Sequence, residues 1–196
     1  MRHVSIGSTD VYIAPISPDA EVNLLPTATP TALAAVDGVE SVRRRRELLT
    51  TWALAEAVFG PGVVIGHDAL GAPFIVGCEI HISISHCIDC VVIAANKKCV
   101  VGVDAEVWRP QLFRVRERFL TPIETALPMS RESLLQAWTI KEAVYKAAMM
   151  PGLSLQDIHL PQPGSVWAIV DGAARLSFRV EPVELTPFRA ITLVTP

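Results

Sequence analysis

Val101-Gly102-Val103-Asp104-Ala105-Glu106 is an apolar segment that ends in two acidic residues. Its composition predicts a buried strand, and side chains two positions apart on a strand point to the same side. Asp104 and Glu106 would therefore present both carboxylates together. A carboxylate buried at the end of an apolar strand costs free energy unless a cation neutralises its charge. Mg²⁺ could do so and keep positions open for a phosphate substrate, although the pair alone is more typical of an exposed strand end with solvated acids.

Residues 131–149 have the apolar spacing of a long helix. Within it, Trp138-Thr139-Ile140-Lys141-Glu142-Ala143-Val144-Tyr145-Lys146 belongs to two stripes, of which the expected core stripe is Ala137, Ile140, Val144 and Ala147. The second stripe contains Trp138, Glu142, Tyr145 and Met149. Lys146 lies one turn after Glu142, so the two can form an ordinary surface pair. Because Trp138 and Tyr145 would shelter it, Glu142 is also a candidate metal ligand or general base.

The first half of the chain contains patterns of strands and of one long helix. Residues 3–16 favour a strand, and residues 15–30, rich in proline and threonine, favour a loop. Asp37 is predicted to cap a helix that ends at Phe59, before Gly60-Pro61. Strict alternation of apolar and polar residues predicts a strand at residues 80–85.

The remaining patterns complete two sets of strands and helices. Residues 90–95 and 100–107 are predicted to form a hairpin around Asn96-Lys97-Lys98, and Asp171-Gly172 favours a second hairpin. Thr121-Pro122-Ile123-Glu124 is a capping box, and residues 189–194 favour a last strand. We therefore expect an α+β fold of two similar lobes, residues 1–100 and 101–196, although no internal sequence repeat supports the division.

Basic side chains form two further candidate features. His86 follows Ser83-Ile84-Ser85 at a strand end, where it could donate to a phosphate or simply be a hydrogen-bonded turn histidine. Arg43-Arg44-Arg45-Arg46 covers the whole circumference of a helix, and guanidinium groups suit phosphate; a solvated basic turn is the alternative. A second basic stretch could contact an acidic protein: Arg109, Arg114, Arg116 and Arg118.

Four cysteines lie in one apolar quarter of the chain, at positions 78, 87, 90 and 99. We interpret them as reduced thiols of a cytoplasmic protein, because a disulfide framework is typical of smaller secreted chains. Together with His81 and His86 they could instead form a zinc or redox site. This alternative is weak, because no second Cys-x-x-Cys or histidine pair completes a set of four ligands.

Composition excludes several classes of protein. The 196 residues are 51% hydrophobic and 19% charged, which excludes intrinsic disorder. The formal net charge of −3 argues against a nucleic-acid binder, yet residues 43–146 hold 13 of the 17 basic and 11 of the 20 acidic residues, a local charge of +2. Apolar runs are strand-sized, so no membrane span is expected, and the N-terminus has no signal-peptide pattern.

Six motifs in order resemble the 4′-phosphopantetheinyl transferase superfamily, and within it the surfactin-synthetase-activating (Sfp-like) group. They cover roughly residues 43–155: Arg46-Glu47-Leu48-Leu49, Gly71-Ala72-Pro73, Ile82-Ser83-Ile84-Ser85-His86, Val101-Gly102-Val103-Asp104-Ala105-Glu106, Phe119-Leu120-Thr121-Pro122-Ile123-Glu124 and the Trp138 to Lys146 segment. Each motif alone is weak, but their joint order is specific.

The resemblance implies that coenzyme A binds in a cleft between the two lobes and that Asp104, Glu106 and Glu142 hold Mg²⁺. A carrier-protein serine would attack the β-phosphate, accept phosphopantetheine and release 3′,5′-ADP. In this family pattern, Glu142 can take the serine proton and Lys146 offsets charge on the leaving phosphate. Coenzyme A phosphates would be contacted by Ser85, His86, Lys146, Arg45 and Arg46, with Arg46 near the 3′-phosphate.

The sequence departs from the family pattern at several positions. Ala72 replaces a frequent lysine, Met150-Pro151-Gly152 replaces Gly-Lys-Gly, and Ala105 is smaller than usual. Residues 1–42 match no motif. The lost cations motivate an alternative, a non-catalytic protein that binds coenzyme A or a carrier protein. The carrier class, whether fatty-acid, polyketide or nonribosomal-peptide, is not specified by the sequence, and we expect a monomer.

Overall fold

The computed structural model describes residues 1–160, 167–170 and 175–196. Its first half contains six strands and three α-helices. The strands are β1 (Arg2–Ile6), β2 (Thr9–Pro15), β3 (Ile65–His67), β4 (Pro73–Ile75), β5 (His81–His86) and β6 (Cys90–Asn96). The helices are α1 (Ala20–Leu24), α2 (Pro30–Val36) and α3 (Val42–Phe59), with a 3₁₀ turn at Leu25–Thr27.

The second half contains five more strands and three more α-helices within the described residues. The strands are β7 (Gly102–Val107), β8 (Ile158–His159), β9 (Trp167–Val170), β10 (Leu176–Leu185) and β11 (Arg189–Thr195). The helices are α4 (Pro110–Val115), α5 (Pro122–Thr125) and α6 (Arg131–Ala148), with 3₁₀ turns at Arg116–Arg118 and Leu155–Asp157. No helix in these ranges combines the length and apolarity needed to cross a bilayer.

The strands form two antiparallel sheets. The first has the order β1-β2-β6-β5-β4-β3, and the second has the order β7-β11-β10-β9-β8. In the second sheet Asp104 lies opposite Thr192, and Glu106 lies opposite Ala190. The acidic strand β7 therefore stands at one edge of its sheet, with β11 as its ladder partner.

The two sheets pack face to face, with a long helix on each outer face. Between the sheets lies an apolar layer that includes Val92 and Ala94 of β6, Val103 of β7 and Leu193 of β11. Alternate residues of β6 face the other way, where α3 covers them. Helix α6 covers the outer face of the second sheet. This architecture is a mixed, α+β arrangement in four layers. Because the two halves share one apolar layer, the division into two similar lobes stays a prediction.

Several local expectations are confirmed. The helix predicted at 131–149 is α6, the strand predicted at 80–85 is β5, and the capping box of Thr121 and Glu124 is present at the start of α5. Strands β9 and β10 pair antiparallel as a predicted hairpin requires. The turn residues Asp171-Gly172 of that prediction lie outside the described residues.

Three expectations about the first half are wrong. Residues 3–16 form two strands, because Gly7 adopts a positive φ of 59° and turns the chain. The segment expected to be a loop, residues 15–30, contains α1 and the 3₁₀ turn at Leu25–Thr27, and α2 begins at its last residue. Helix α3 begins at Val42, where Ser41 accepts a hydrogen bond from the Arg44 amide, and not after Asp37. It ends at Phe59 as expected.

The predicted hairpin between residues 90–95 and 100–107 is also wrong. Strands β6 and β7 belong to different sheets, and β7 pairs with β11. Between them the Asn96 side chain accepts hydrogen bonds from the amides of Lys98 and Cys99, at 2.7 and 3.1 Å. These bonds shape the connection that carries the chain from one sheet to the other.

A buried ion pair links α5, α6 and the turn before β8. Lys141 is fully buried, and its Nζ donates to Glu124 Oε2 at 2.7 Å and to the carbonyls of Leu155 and Ile158. Burial lowers the pKa of Lys141, although the hydrogen bond to Glu124 opposes this shift. Three acceptors thus satisfy the ammonium group, which ties three segments of the second half together.

Replacing Lys141 by Met should lower the free energy of unfolding by about 3–5 kcal/mol, because it leaves the Glu124 carboxylate buried without its cation. Urea denaturation measures the change. Lys97→Met, at an exposed position, is the matched control and should lie within about 0.5 kcal/mol of wild type. A loss below about 1 kcal/mol in Lys141→Met would contradict the assigned role.

A chain of ion pairs joins the two sheets. Arg2 of β1 contacts Glu184 of β10 at 2.9 Å, Glu184 contacts Arg189 of β11 at 2.7 Å, and Arg189 contacts Asp89 at 2.9 Å. The hydrogen bond from Arg189 lowers the pKa of Glu184. Because Asp89 lies in the turn between β5 and β6, the chain of charges begins and ends in the first sheet.

The lowered pKa of Glu184 predicts a specific pH dependence of stability. A carboxyl whose pKa is lower in the folded state stabilises the protein above its unfolded pKa of about 4.3 and loses this contribution as pH falls through the folded value. Arg189→Gln should therefore reduce the acid-induced loss of stability between pH 5 and 3 by about 1 kcal/mol. Denaturation curves at several pH values measure it; parallel profiles for the two proteins would refute the prediction.

Candidate functional site

Asp104 is the centre of a buried polar cluster. Its Oδ1 accepts hydrogen bonds from Lys146 Nζ and from Ser85 Oγ, both at 2.7 Å. The side chain is 8% exposed, so these two donors replace most of its water. The cluster brings together three residues that the sequence placed on different elements: β7, α6 and β5.

Two serines of β5 connect the first sheet to β7. Ser83 Oγ accepts a hydrogen bond from the Val103 amide at 3.0 Å, and Ser85 Oγ accepts one from the Ala105 amide at 3.2 Å. Both serines are buried. The Ser85 hydroxyl is thus engaged by β7 and Asp104, so in this structure it holds the acid in place and offers no free donor to a phosphate.

Helix α6 lies against β7 at Gly102. A side chain at this position would overlap the carbonyl oxygen of Ala143, an atom of the helix backbone. This close approach places Glu142 and Lys146, on either side of Ala143, next to the acids of β7. Lys146 Nζ also donates to the Val103 carbonyl at 3.0 Å.

Glu142 is the carboxylate without a compensating partner. No hydrogen bond reaches its side chain from the described residues, and it is partly buried. Burial raises the pKa of Glu142, the negative charges of Asp104 and Glu106 raise it further, and Lys146 opposes the shift. These influences show that the three carboxylates share one electrostatic environment.

Glu106 has a cation that the sequence did not pair with it. Its Oε2 accepts a hydrogen bond from Arg109 Nη2 at 2.6 Å, and its Oε1 accepts one from the Val107 amide at 3.0 Å. Arg109 belongs to the second basic stretch, where an exposed protein contact was expected. Three carboxylates therefore face two protein cations, Lys146 and Arg109.

The donor set of Asp104, Glu106 and Glu142 fits a hard divalent cation, which prefers carboxylate oxygens. The residues fit such an ion because all three offer carboxylate oxygens and because no hydrogen bond within the described part of the chain compensates the charge of Glu142. Among the described residues, the three carboxylates are not a group whose oxygens all lie within 4.8 Å of one another. The side chains would have to leave Lys146 and Arg109 to converge on an ion.

A cleft of about 560 Å³ borders this cluster. Strands β3–β5, α3 and the end of α6 line it, and its polar side chains include Arg44, His86 and Lys146. Apolar side chains such as Trp52 and Phe74 form much of the rest. Lys146 both lines the cleft and contacts Asp104, so it joins the cleft to the acidic cluster.

The two positions where the sequence lacks an expected cation, Ala72 and Pro151, also line the cleft. The Asp68 side chain accepts hydrogen bonds from the Leu70 and Ala72 amides at 2.8 and 2.9 Å. The Asp68 side chain therefore holds the loop at Ala72, while the Ala72 side chain brings no charge to the cleft.

Of the four consecutive arginines, Arg44 lines the cleft. Arg45 turns away and donates to Glu21 at 2.9 Å and to the carbonyls of Val39 and Glu40. Arg46 Nε lies 3.9 Å from Glu21 Oε1. The structure therefore does not bring the predicted coenzyme-binding residues Arg45 and Arg46 to the cleft, because Glu21 of α1 attracts them.

His86 lies beside Arg44, with its Nε2 3.0 Å from Arg44 Nη1. Its Nδ1 is 3.6 Å from Glu47 Oε2. Burial lowers the pKa of His86, and Glu47 opposes that shift. Sequence reasoning found His86 but gave no role to Glu47; an acid directly after the run of arginines, one helical turn after Arg43, was the available signal.

Two of the four cysteines form a second cluster. Cys87 and Cys90 are buried with their sulfurs 3.3 Å apart, and Cys87 donates to Asp89 at 2.9 Å. The hydrogen bond with Cys90 and burial both raise the pKa of the Cys87 thiol. Cys78 and Cys99 lie elsewhere, and all four are free thiols. Asp89 is the third possible ligand in this group, and neither His81 nor His86 joins it among the described residues, so the zinc alternative still lacks a fourth ligand.

Part of the chain matches a known family. Residues 100–181 match the family model described as the 4′-phosphopantetheinyl transferase superfamily. This range contains Asp104, Glu106, Glu142 and Lys146 and supports a transferase domain, whereas Arg44, Glu47 and His86 lie outside it. No curated protein is similar enough to the chain to count as a match.

Replacing Gly102 by Ala should separate α6 from β7 and lower the free energy of unfolding by about 1–3 kcal/mol, because the new methyl group meets helix backbone. Thermal and urea denaturation measure it. Gly66→Ala is the matched control: its new methyl group would meet the ring of Phe74, an exposed side chain that can move. Equal effects of the two substitutions would contradict the close-packing argument.

Proposed function

We propose that this protein transfers 4′-phosphopantetheine from coenzyme A to a serine of an acyl or peptidyl carrier protein and releases 3′,5′-ADP. The observation that carries the proposal is the position of Lys146, which lines the cleft and donates to Asp104 within the range that matches the superfamily. A ligand in the cleft would therefore have its phosphates beside the acidic cluster.

The cleft suits a long, anionic and partly apolar molecule. Its volume of about 560 Å³ lies within the usual range for small-molecule sites. Its polar side chains include Arg44, His86 and Lys146, and Trp52 and Phe74 provide aromatic surface. Coenzyme A combines phosphates with an adenine ring and an extended pantetheine arm, so it matches both parts of this lining.

Asp104, Glu106 and Glu142 would hold Mg²⁺, since their carboxylates are the ligands this ion prefers. When bound, the ion supplies positive charge to the pyrophosphate of coenzyme A. Arg109 and Lys146 offset part of the negative charge of the same acids in its absence. Lys146 also faces the cleft, where its ammonium group can stabilise charge that develops on the leaving phosphate.

In the proposed reaction, the serine oxygen of the carrier forms a bond to the β-phosphorus, and the bond from that phosphorus to the oxygen bridging to 3′,5′-ADP breaks. The serine proton goes to Glu142, directly or through a water. Glu142 suits this role because no hydrogen bond from the described residues occupies its carboxylate. As a member of the three-acid set it can also serve as a ligand.

The central test is transfer to a carrier protein. Incubation with coenzyme A, Mg²⁺ and apo carrier proteins from the same organism should give a phosphopantetheine adduct, measured by mass spectrometry. Asp104→Asn and Glu142→Gln should each slow transfer by about 10²–10⁴-fold. Glu117→Gln, at a solvent-exposed acid, is the control and should retain full activity. No adduct on any carrier, or full activity in both site variants, would refute the proposal.

The two roles of Glu142 differ in their response to metal concentration. Loss of a ligand should raise the Mg²⁺ concentration that gives half-maximal transfer, and excess Mg²⁺ should then restore the rate. Loss of a base should lower kcat at saturating Mg²⁺. Titrating Mg²⁺ into the Glu142→Gln protein separates these outcomes.

Ala72 and Pro151 favour a second candidate function. Both line the cleft at positions where the resembling family has lysine, so the cleft loses two cations. A protein that binds coenzyme A or a carrier without catalysis would need fewer charges on the reacting phosphates. Calorimetry distinguishes this candidate: coenzyme A binding with no carrier modification would support it.

A further inference from the structure

Glu47 is a buried acid of α3 beneath the polar side of the cleft. Its side chain is 6% exposed, and its two oxygens contact different arginines: Oε1 accepts from Arg43 Nε at 2.9 Å, and Oε2 accepts from Arg44 Nη1 at 3.3 Å. Arg44 lines the cleft, whereas Arg43 does not. Glu47 therefore links the buried side of α3 to Arg44, one of the cations of the cleft.

The contact between Arg44 and His86 fixes the protonation of the imidazole. An arginine can only donate, so His86 Nε2, 3.0 Å from Arg44 Nη1, must accept. A neutral ring then carries its proton on Nδ1, the nitrogen that faces Glu47 Oε2 at 3.6 Å. Burial lowers the pKa of His86, which agrees with a neutral ring.

These contacts use one side of the Arg44 guanidinium. Nη1 donates to both Glu47 and His86, while no described residue accepts from Nε or Nη2. The side chain is 48% exposed and borders the cleft. The Nε–Nη2 edge is a pair of parallel donors that matches the oxygens of a phosphate.

We propose that Glu47 is a positioning residue: through Arg44 Nη1 and the Nδ1–H form of His86, it orients the Nε–Nη2 edge of Arg44 toward a phosphate in the cleft. The identity of that phosphate as part of coenzyme A rests on the proposed function. His86 then supports Arg44 as an acceptor and does not itself donate Nε2–H to the ligand. Arg43 balances the second oxygen of Glu47 without reaching the ligand.

The first test uses NMR on the ¹⁵N-labelled full-length protein and needs no activity. Long-range ¹H–¹⁵N spectra should show His86 with an unprotonated Nε2. Inorganic pyrophosphate, used as the probe, should shift the Arg44 Nε–H resonance in wild type, and Glu47→Gln should reduce the shift several-fold. A protonated Nε2 in the free wild-type protein, or the same pyrophosphate response in both proteins, would overturn the proposal.

The second test uses kinetics of carrier modification. Glu47→Gln should raise the KM for coenzyme A about tenfold, the loss expected for a hydrogen bond to a charged group, and leave kcat within about twofold of wild type. Arg43→Gln is the matched control, because it removes the other partner of Glu47 without touching the cleft. Equal KM changes in the two variants, or a fall in kcat alone, would overturn the positioning role.

A second variant and a second ligand complete the tests. If Glu47→Gln does not fold, His86→Leu removes the acceptor of Arg44 at a partly exposed position and should reduce the pyrophosphate shift in the same way; an unchanged shift would overturn the proposal. Comparing coenzyme A with 3′-dephospho-coenzyme A shows whether Arg44 contacts the 3′-phosphate or the pyrophosphate. If wild type binds no coenzyme A, the proposed function fails, and the NMR result still decides the role of Glu47.

Discussion

Two serine hydroxyls accept hydrogen bonds from backbone amides of β7 that have no strand partner, because β7 lies at the edge of its sheet. The Val103 and Ala105 amides point away from β11, so without Ser83 and Ser85 they would be buried donors without acceptors. At this junction, side-chain oxygens thus accept the hydrogen bonds that the carbonyl groups of a neighbouring strand accept elsewhere in a sheet. Because Ser85 also donates to Asp104, the same bond that joins the sheets orients the acid at the centre of the polar cluster.

The cluster has an unequal number of charges. Lys146 contacts Asp104, Arg109 contacts Glu106, and Glu142 receives no hydrogen bond from the described residues. Partial burial makes this excess negative charge more costly than it would be in water. An added cation or a transferred proton would relieve the cost, and both are features of the proposed chemistry. The same imbalance would be a defect in a region that served only stability.

Interactions between residues close in sequence were the predictable part of the structure. The spacing of α6, the alternation of β5 and the capping box at Thr121 each depend on neighbours within one or two turns, and each is confirmed. The strand character of β7 was also predictable, but its partner was not, because β6 and β11 are both apolar. A local pattern therefore favoured the nearer strand, which was wrong.

The candidate site divides in the same way. Strand periodicity predicted Asp104 beside Glu106, and helix periodicity predicted Glu142 near Lys146. Only the family resemblance joined the two pairs, and the structure places Lys146 against Asp104. The choice among four consecutive arginines depended on Glu21, in a segment predicted to be a loop, which draws Arg45 and Arg46 away from the cleft. The pairing of Glu106 with Arg109 and the burial of Ser85 likewise depend on how separate elements meet.

The ladder partner of β7 has a consequence for the order in which the protein matures. A ribosome delivers β7 and α6 well before β11, which follows them by dozens of residues, and β11 lies between β7 and the rest of the second sheet. Until β11 arrives, the nascent chain can fold the first sheet, but the acidic strand has no ladder to join. The site is therefore completed late in synthesis, so an unfinished polypeptide carries its acids without the framework that would align them.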